Sequence, residues 1–173
     1  YLISNATATY TYNSLAKALN LNDNTVKEYI RVLESSYLLY ELKSYSYSLK
    51  EQIKGKKKSY IIDNGFVAQT AFRFSENRGK LFENLVFSEL VKRGHELFFI
   101  NEEGECDFVA RKENETIAIQ VCYELLPSNL EREKSGLSKL KFKADKKIII
   151  TYNQSQTLEN DIKVVSLWEY FAK

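Results

Sequence analysis

In the run Ile117-Ala118-Ile119-Gln120-Val121-Cys122-Tyr123 the character of the side chain alternates without a break. Successive residues of a strand point to opposite faces. Ile117, Ile119, Val121 and Tyr123 therefore line one face, and Ala118, Gln120 and Cys122 the other. A second run, Glu105-Cys106-Asp107-Phe108-Val109, encloses an aspartate among apolar neighbours. A carboxylate placed there is costly unless it is paired, hydrogen-bonded or metal-bound. The chain must fold so that these two strands bury their apolar faces and satisfy Asp107.

The surrounding residues supply an element order. A helix is expected from about Ser75 to Arg93, with Leu81, Leu85, Val86 and Leu90 on its apolar face and Gly94 ending it. Strands are expected over Glu96 to Ile100, Glu105 to Arg111 and Thr116 to Tyr123, joined by polar turns. A polar helix from Asn129 to about Lys141 comes after them. Strands over Lys147 to Tyr152 and Ile162 to Leu167 come next, and a helix from Trp168 ends the chain.

The first third reads differently. Leu15, Ala18 and Leu19 share one face of a helix over Asn13 to Leu19. Asn20 and Leu21 make a turn, and Asn22 caps a second helix from Asp23 to about Ser35, with Val26, Tyr29, Ile30 and Leu33 inward. Two strand-like runs, Leu42 to Leu49 and Ser59 to Ile62, are joined by the basic tip Lys54-Gly55-Lys56-Lys57-Lys58. Helix, tight turn, helix and ribbon is the order of a winged helix-turn-helix. Asp63-Asn64-Gly65 reads as a turn. Phe66, Val67, Phe72 and Phe74 read as a bridge to the second part of the chain.

Such a module can set its second helix in the major groove of DNA. Lys27 and Arg31 on that helix, with Lys54, Lys56, Lys57 and Lys58 of the tip, are the candidate nucleic-acid contacts. Asp23 and Glu28 on the same helix repel phosphate. The plainer reading is a solvated lysine-rich loop on a packing module. The net charge of +2 hides an asymmetry. Residues 1–60 hold 9 Lys/Arg against 5 Asp/Glu, and residues 61–173 hold 16 against 18.

Length suits one large domain or two small ones with a real core. No apolar run approaches the roughly 18 residues of a membrane span, so a membrane partner is not expected. Nor does the opening of the chain resemble a signal peptide. Two cysteines, one histidine and no CxxC argue against structural zinc. Unpaired thiols suit a cytoplasmic protein. The chain opens at Tyr1 and contains no methionine, so it is expected to be an internal or C-terminal piece of something longer.

The second part has the core order of PD-(D/E)XK nucleases: helix, three-strand meander, helix, strand. The whole chain resembles the C-terminal region of bacterial and archaeal AAA-type ATPases that end in a nuclease-like domain. The phrases that carry the resemblance include Thr25-Val26-Lys27-Glu28-Tyr29-Ile30, Tyr60-Ile61-Ile62-Asp63-Asn64-Gly65 and Asn77-Arg78-Gly79-Lys80-Leu81-Phe82-Glu83-Asn84. Glu105-Cys106-Asp107-Phe108, Ile119-Gln120-Val121-Cys122-Tyr123 and Glu131-Arg132-Glu133 complete them. The expected architecture is α/β (α+β). It comprises a winged helix-turn-helix over residues 1–62 and a PD-(D/E)XK nuclease-like mixed sheet over 63–173. The resemblance implies an ATPase domain in cis as partner, with ATP bound only there, since no GxxxxGK[ST] occurs in this chain.

By the same resemblance Glu83, Asp107, Gln120 and Cys122 occupy the catalytic positions. Asp107, Gln120 and Glu83 are the candidate ligands or water-holders for Mg²⁺ or Mn²⁺, and DNA is the candidate substrate. Cys122 stands where the pattern asks for lysine. That lysine orients the attacking water and offsets negative charge, help typically worth about 10²–10⁴-fold in rate. A thiol supplies no positive charge, and Gln120 removes a carboxylate. Lys80, one turn before Glu83, and Arg132 are the candidate relocated cations; the plainer reading makes each a surface charge. The expectation is a non-catalytic or weakly active module that binds nucleic acid or a partner. An active Mg/Mn-dependent nuclease and a winged-helix DNA-binding regulator are the competing readings.

Overall fold

The computed structural model describes residues 1–70, 78–102, 104–158 and 161–172. Its elements fall into two units, Tyr1–Glu76 and Asn77–Lys173, and the architecture is α+β.

In the first unit the strand β1 (Thr9–Tyr10) leads into α1 (Tyr12–Leu19). Thr11 and Ser14 cap that helix reciprocally, each side chain bonding the other's backbone N–H at 2.9–3.1 Å. Asn20 closes it at φ +53°, the left-handed conformation that asparagine tolerates. Asn22 then accepts the Thr25 N–H at 2.8 Å and opens α2 (Asp23–Ser35), as its sequence predicts. Val26 and Ile30 of α2 pack on Leu15, Ala16, Leu39 and Ile61. Tyr29, expected on this face, is exposed instead. The small core closes over a narrow Val26–Ile30 stripe and leaves the neighbouring position outside.

The expected ribbon is only partly present. Strand β2 (Leu39–Lys43) begins earlier than predicted, and part of the predicted strand belongs to a helix, α3 (Leu49–Lys54), capped by Ser48. The alternation Ser44-Tyr45-Ser46-Tyr47-Ser48 imitates a strand, and α3 buries no residue, so no apolar stripe announces it. Strand β3 (Lys57–Ile61) lies between β1 and β2, antiparallel to both, with Leu39 opposite Ile61 and Lys43 opposite Lys57. Asn64 does not end a turn but opens α4 (Asn64–Thr70), Asp63 accepting the Gly65 N–H at 2.6 Å. Phe72, Phe74 and the expected helix start at Ser75 lie outside the described residues.

The second unit opens with α5 (Arg78–Lys92), which Gly94 ends at φ +77°. The meander β4 (Glu96–Ile100), β5 (Cys106–Lys112) and β6 (Glu115–Val121) comes next. It is succeeded by α6 (Pro127–Ser138), β7 (Lys146–Thr151), β8 (Gln156–Thr157), β9 (Ile162–Ser166) and α7 (Leu167–Phe171). The six strands form one mixed sheet in the order β4-β5-β6-β7-β9-β8. β4, β5 and β6 pair antiparallel, whereas β6–β7 and β7–β9 pair parallel, α6 forming part of the first crossover. No helix among the described residues is long and apolar enough to cross a membrane.

The central strands are buried on both faces. Phe82 and Phe87 of α5 meet Tyr123 and Phe108 at ring-centroid distances of 5.6 and 6.2 Å, so α5 covers the face that also carries Ile119. The buried set on α5 is Phe82, Asn84, Val86, Phe87 and Leu90, while Leu85, expected inward, is 43% exposed. Both stripes have helical spacing; the aromatic contacts with the sheet select the one that turns in. The opposite face carries Asp107, Gln120 and Cys122 and lies under α6.

Candidate functional site at the β5–β6 splay

The β5–β6 ladder runs from Lys112↔Glu115 to Phe108↔Ile119, and beyond that pair side chains take over the bonding. The Asp107 carboxylate accepts the Val121 N–H at 3.0 Å, and the Gln120 carboxamide oxygen accepts the Asp107 N–H at 3.3 Å. Asp107 and Gln120 are 7% and 5% exposed. Each thus answers a backbone donor that the parting strands would leave buried and unpaired.

Across from them stands Glu133 of α6, 3% exposed and hydrogen-bonded to the Gln120 side chain. It occupies the stripe between Leu130 and the fully buried Leu137. Burial pushes its carboxyl above the ordinary glutamate value, against the lowering effect of its bonds to Arg132 and Gln120. Arg132 pairs with Glu133 while its own side chain remains 70% exposed. Charge enters the cluster from the solvent side and is met by a carboxylate there.

Cys122 lies at the end of the same strand run, 8% exposed. Its thiol donates to the Glu124 carbonyl at 3.1 Å, and the Asn129 amide approaches the sulfur at 3.6 Å. Burial, then the Glu133 charge, pushes this thiol up to about 11. Cys122 is therefore a neutral thiol at physiological pH. Cys106 is also buried, on the opposite face of β5 from Asp107, and its thiol donates to the Phe108 carbonyl at 3.0 Å.

Two further contacts fix the position of α6. Gly136 comes so close to the β4–β5 turn that a Cβ there would lie 2.8 Å from the Glu105 carbonyl oxygen, and the Glu105 N–H bonds the Gly136 carbonyl at 3.2 Å. At the other end of the helix, Gln154 clamps Leu125 through both backbone groups at 2.7 and 3.0 Å.

The expected constellation is only partly assembled. Asp107, Gln120 and Cys122 come together, and Arg132 joins them through Glu133. Glu83 is half-buried on α5, whose aromatic contacts lie on the other face of the sheet, and Lys80 stands on the same helix. The facing helix is α6 rather than α5. Of the expected Mg²⁺ or Mn²⁺ set, Asp107 and Gln120 each accept a backbone N–H. Among the described residues no three His, Cys, Asp or Glu side chains form a group that could hold a metal ion.

Among the candidate nucleic-acid contacts of the first unit, Lys27, Arg31 and Lys57 make contacts within the chain. Lys27 pairs with Asp23 at 2.5 Å and Arg31 with Glu28 at 3.1 Å, both along α2. The basic segment is no open loop: Lys54 ends α3, and Lys57 and Lys58 lie in β3, with Lys56 just before it. Lys57, expected in a solvated tip, is 2% exposed. Its ammonium donates to the Ile53 and Gly55 carbonyls, each at 2.8 Å, and lies 4.8 Å from the centre of the Tyr12 ring. Beside it Tyr10 and Tyr12 donate to Glu41 at 2.9 and 2.6 Å.

Residues 78–170, more than half of the chain, match the family model of a domain of unknown function, DUF4143. The chain belongs to the DUF4143 family. Residues 1–77 match a second domain of unknown function, DUF8612. An uncharacterised protein of Methanocaldococcus jannaschii is 32% identical over 175 residues, covering 91% of this chain. An uncharacterised protein of Haemophilus influenzae is 33% identical over 154 residues, covering 88%. The chain spans 38% of the length of each of these curated relatives. No solved structure matches it.

Within the DUF4143 domain, Glu133 lies in the quoted phrase Glu131-Arg132-Glu133, yet the sequence reading gave it no role in the cluster. Its signal was present: a carboxylate four residues before Leu137 and three after Leu130, on the one apolar stripe of a polar helix.

Proposed function

We propose that the DUF4143 domain is a nuclease-like scaffold of the PD-(D/E)XK type that does not cut. In this reading it serves as a partner-binding region of a longer AAA-type ATPase in the cytoplasm. The element order α5, β4–β5–β6, α6, β7 supports the scaffold, and the α1–α2 pair with its small sheet supports a variant winged helix-turn-helix. ATP binding would belong to a further domain. One observation carries the loss of chemistry: the polar groups at the catalytic positions hold the protein's own backbone. Asp107 bonds Val121, Gln120 bonds Asp107, and the position that should carry a cation carries a neutral thiol. Arg132 is drawn to Glu133 rather than left to stabilise a developing oxyanion. A protein partner is favoured over DNA because Lys27, Arg31 and Lys57 are engaged within the chain, and phosphate binding needs available cations.

An active nuclease remains the second reading, favoured by the burial of Glu133 beside Asp107, which restores two carboxylates to the cluster. The test is incubation with single-stranded, duplex and branched DNA in Mn²⁺, beside Asp107→Asn. The expected result is no cleavage that depends on Asp107. Cleavage by the wild type that Asp107→Asn abolishes would overturn the proposal.

A further inference from the structure

Leu49 and Ile53, four residues apart on α3, are 74% and 65% exposed, and Tyr47 just before the helix is 87% exposed. Lys50 and Lys54 repeat that spacing one position on, so an apolar stripe and a basic stripe lie side by side. The rest of the helix surface is what the fold uses. Gln52 donates to the Ser46 carbonyl and the Glu51 carboxylate accepts from the Ser46 hydroxyl, each at 2.6 Å. Lys57 donates to the Ile53 and Gly55 carbonyls at the helix end. Polar bonds therefore seat α3, and it buries none of its own residues. We propose that this projecting turn docks on an anionic bilayer surface. Tyr47, Leu49 and Ile53 enter the headgroup layer, while Lys50 and Lys54 face the anionic headgroups. The proposal rests on the first unit alone and is independent of the chemistry at Asp107.

Charge selects the occupant. Residues 43–58 hold six lysines against one acid, Glu51, and Ser46 engages that acid. The complementary partner is therefore polyanionic. A nucleic acid would use the lysines but would give the neighbouring aliphatic side chains no apolar medium to enter. A bilayer interface takes both, basic residues meeting anionic headgroups while leucine, isoleucine and tyrosine reach the acyl boundary. Side chains that stand proud of a turn also suit a soft surface. A surface contact needs no spanning helix, and none among the described residues is long and apolar enough to be one.

Co-sedimentation of the full chain with phosphatidylcholine vesicles, plain or with one-third phosphatidylserine, tests this directly. The protein should bind the phosphatidylserine vesicles alone, more weakly as sodium chloride is raised. Lys50→Glu with Lys54→Glu should weaken that binding at least about tenfold. Leu49→Gln with Ile53→Gln, which changes no charge, should also weaken it at least about tenfold. All four side chains are exposed, so both pairs should retain the wild-type circular dichroism. Leu49→Ala with Ile53→Ala replaces the glutamine pair if that pair fails to fold. No affinity for phosphatidylserine vesicles would overturn the proposal. So would affinity that depends on the lysines but is indifferent to Leu49 and Ile53, the signature of a general polyanion site that duplex DNA would share.

Discussion

The Asp107 carboxylate and the Val121 backbone N–H meet at 3.0 Å where β5 and β6 part, and the side chain stands in for the next rung of the ladder. At the position to which the nuclease resemblance would give a metal ligand, the Asp107 carboxylate accepts from a strand amide. Asp107→Ala removes that acceptor and leaves the amide buried, which should cost about 1–3 kcal/mol. Asp107→Asn keeps an oxygen in place and should cost less. Denaturant unfolding of the two variants checks the order; equal losses would refute the backbone role.

Glu133 gives a pH signature. Burial raises its carboxyl above the ordinary value, so the folded state holds that proton more tightly than the unfolded state does. Its contribution to stability is full below the ordinary glutamate range and is lost as pH rises through the raised value. Glu133→Gln mimics the protonated form and should raise Tm at pH 7, the gain vanishing near pH 4. Calorimetry at both pH values decides it; a destabilised variant at pH 7 would mean that the ionised pair with Arg132 dominates.

The thiols should be silent. With Cys122 pushed up to about 11, its thiolate population at pH 7.5 is on the order of a hundredfold below that of an ordinary cysteine. Cys106 is fully buried. An aromatic disulfide reagent should titrate neither thiol quickly in the native protein and both in guanidinium. A fast native thiol would show that the cluster opens.

Gly136 tests how α6 is seated. A methyl group there would meet the Glu105 carbonyl at 2.8 Å, and a backbone oxygen cannot swing aside. Gly136→Ala should cost about 1–3 kcal/mol through displacement of α6. An unchanged unfolding free energy would mean that the helix is not held there.

The strands of the second unit were legible because period-two patterning and length act locally: β4 matches its predicted span, and β5, β6, β7 and β9 match to within two residues. Asn22 announced α2 for the same reason, as a cap acts on the next turn alone. The helix α3 was hidden because it buries nothing, and the Ser–Tyr alternation before it resembles a strand. Which stripe of α5 turns inward was not legible, since Leu85 and Phe82 belong to equally periodic sets and only contact with Tyr123 and Phe108 separates them. The site divided in the same way. Asp107, Gln120 and Cys122 follow from strand alternation within one hairpin. Glu83 and Glu133 depend on which helix covers which face, a long-range choice that local pattern does not encode.

Titration calorimetry of Mn²⁺ into the protein and into Asp107→Asn addresses the central reading most directly. If the cluster serves the backbone, neither protein should show a site tighter than about millimolar. A micromolar Mn²⁺ site in the wild type that Asp107→Asn abolishes would contradict it.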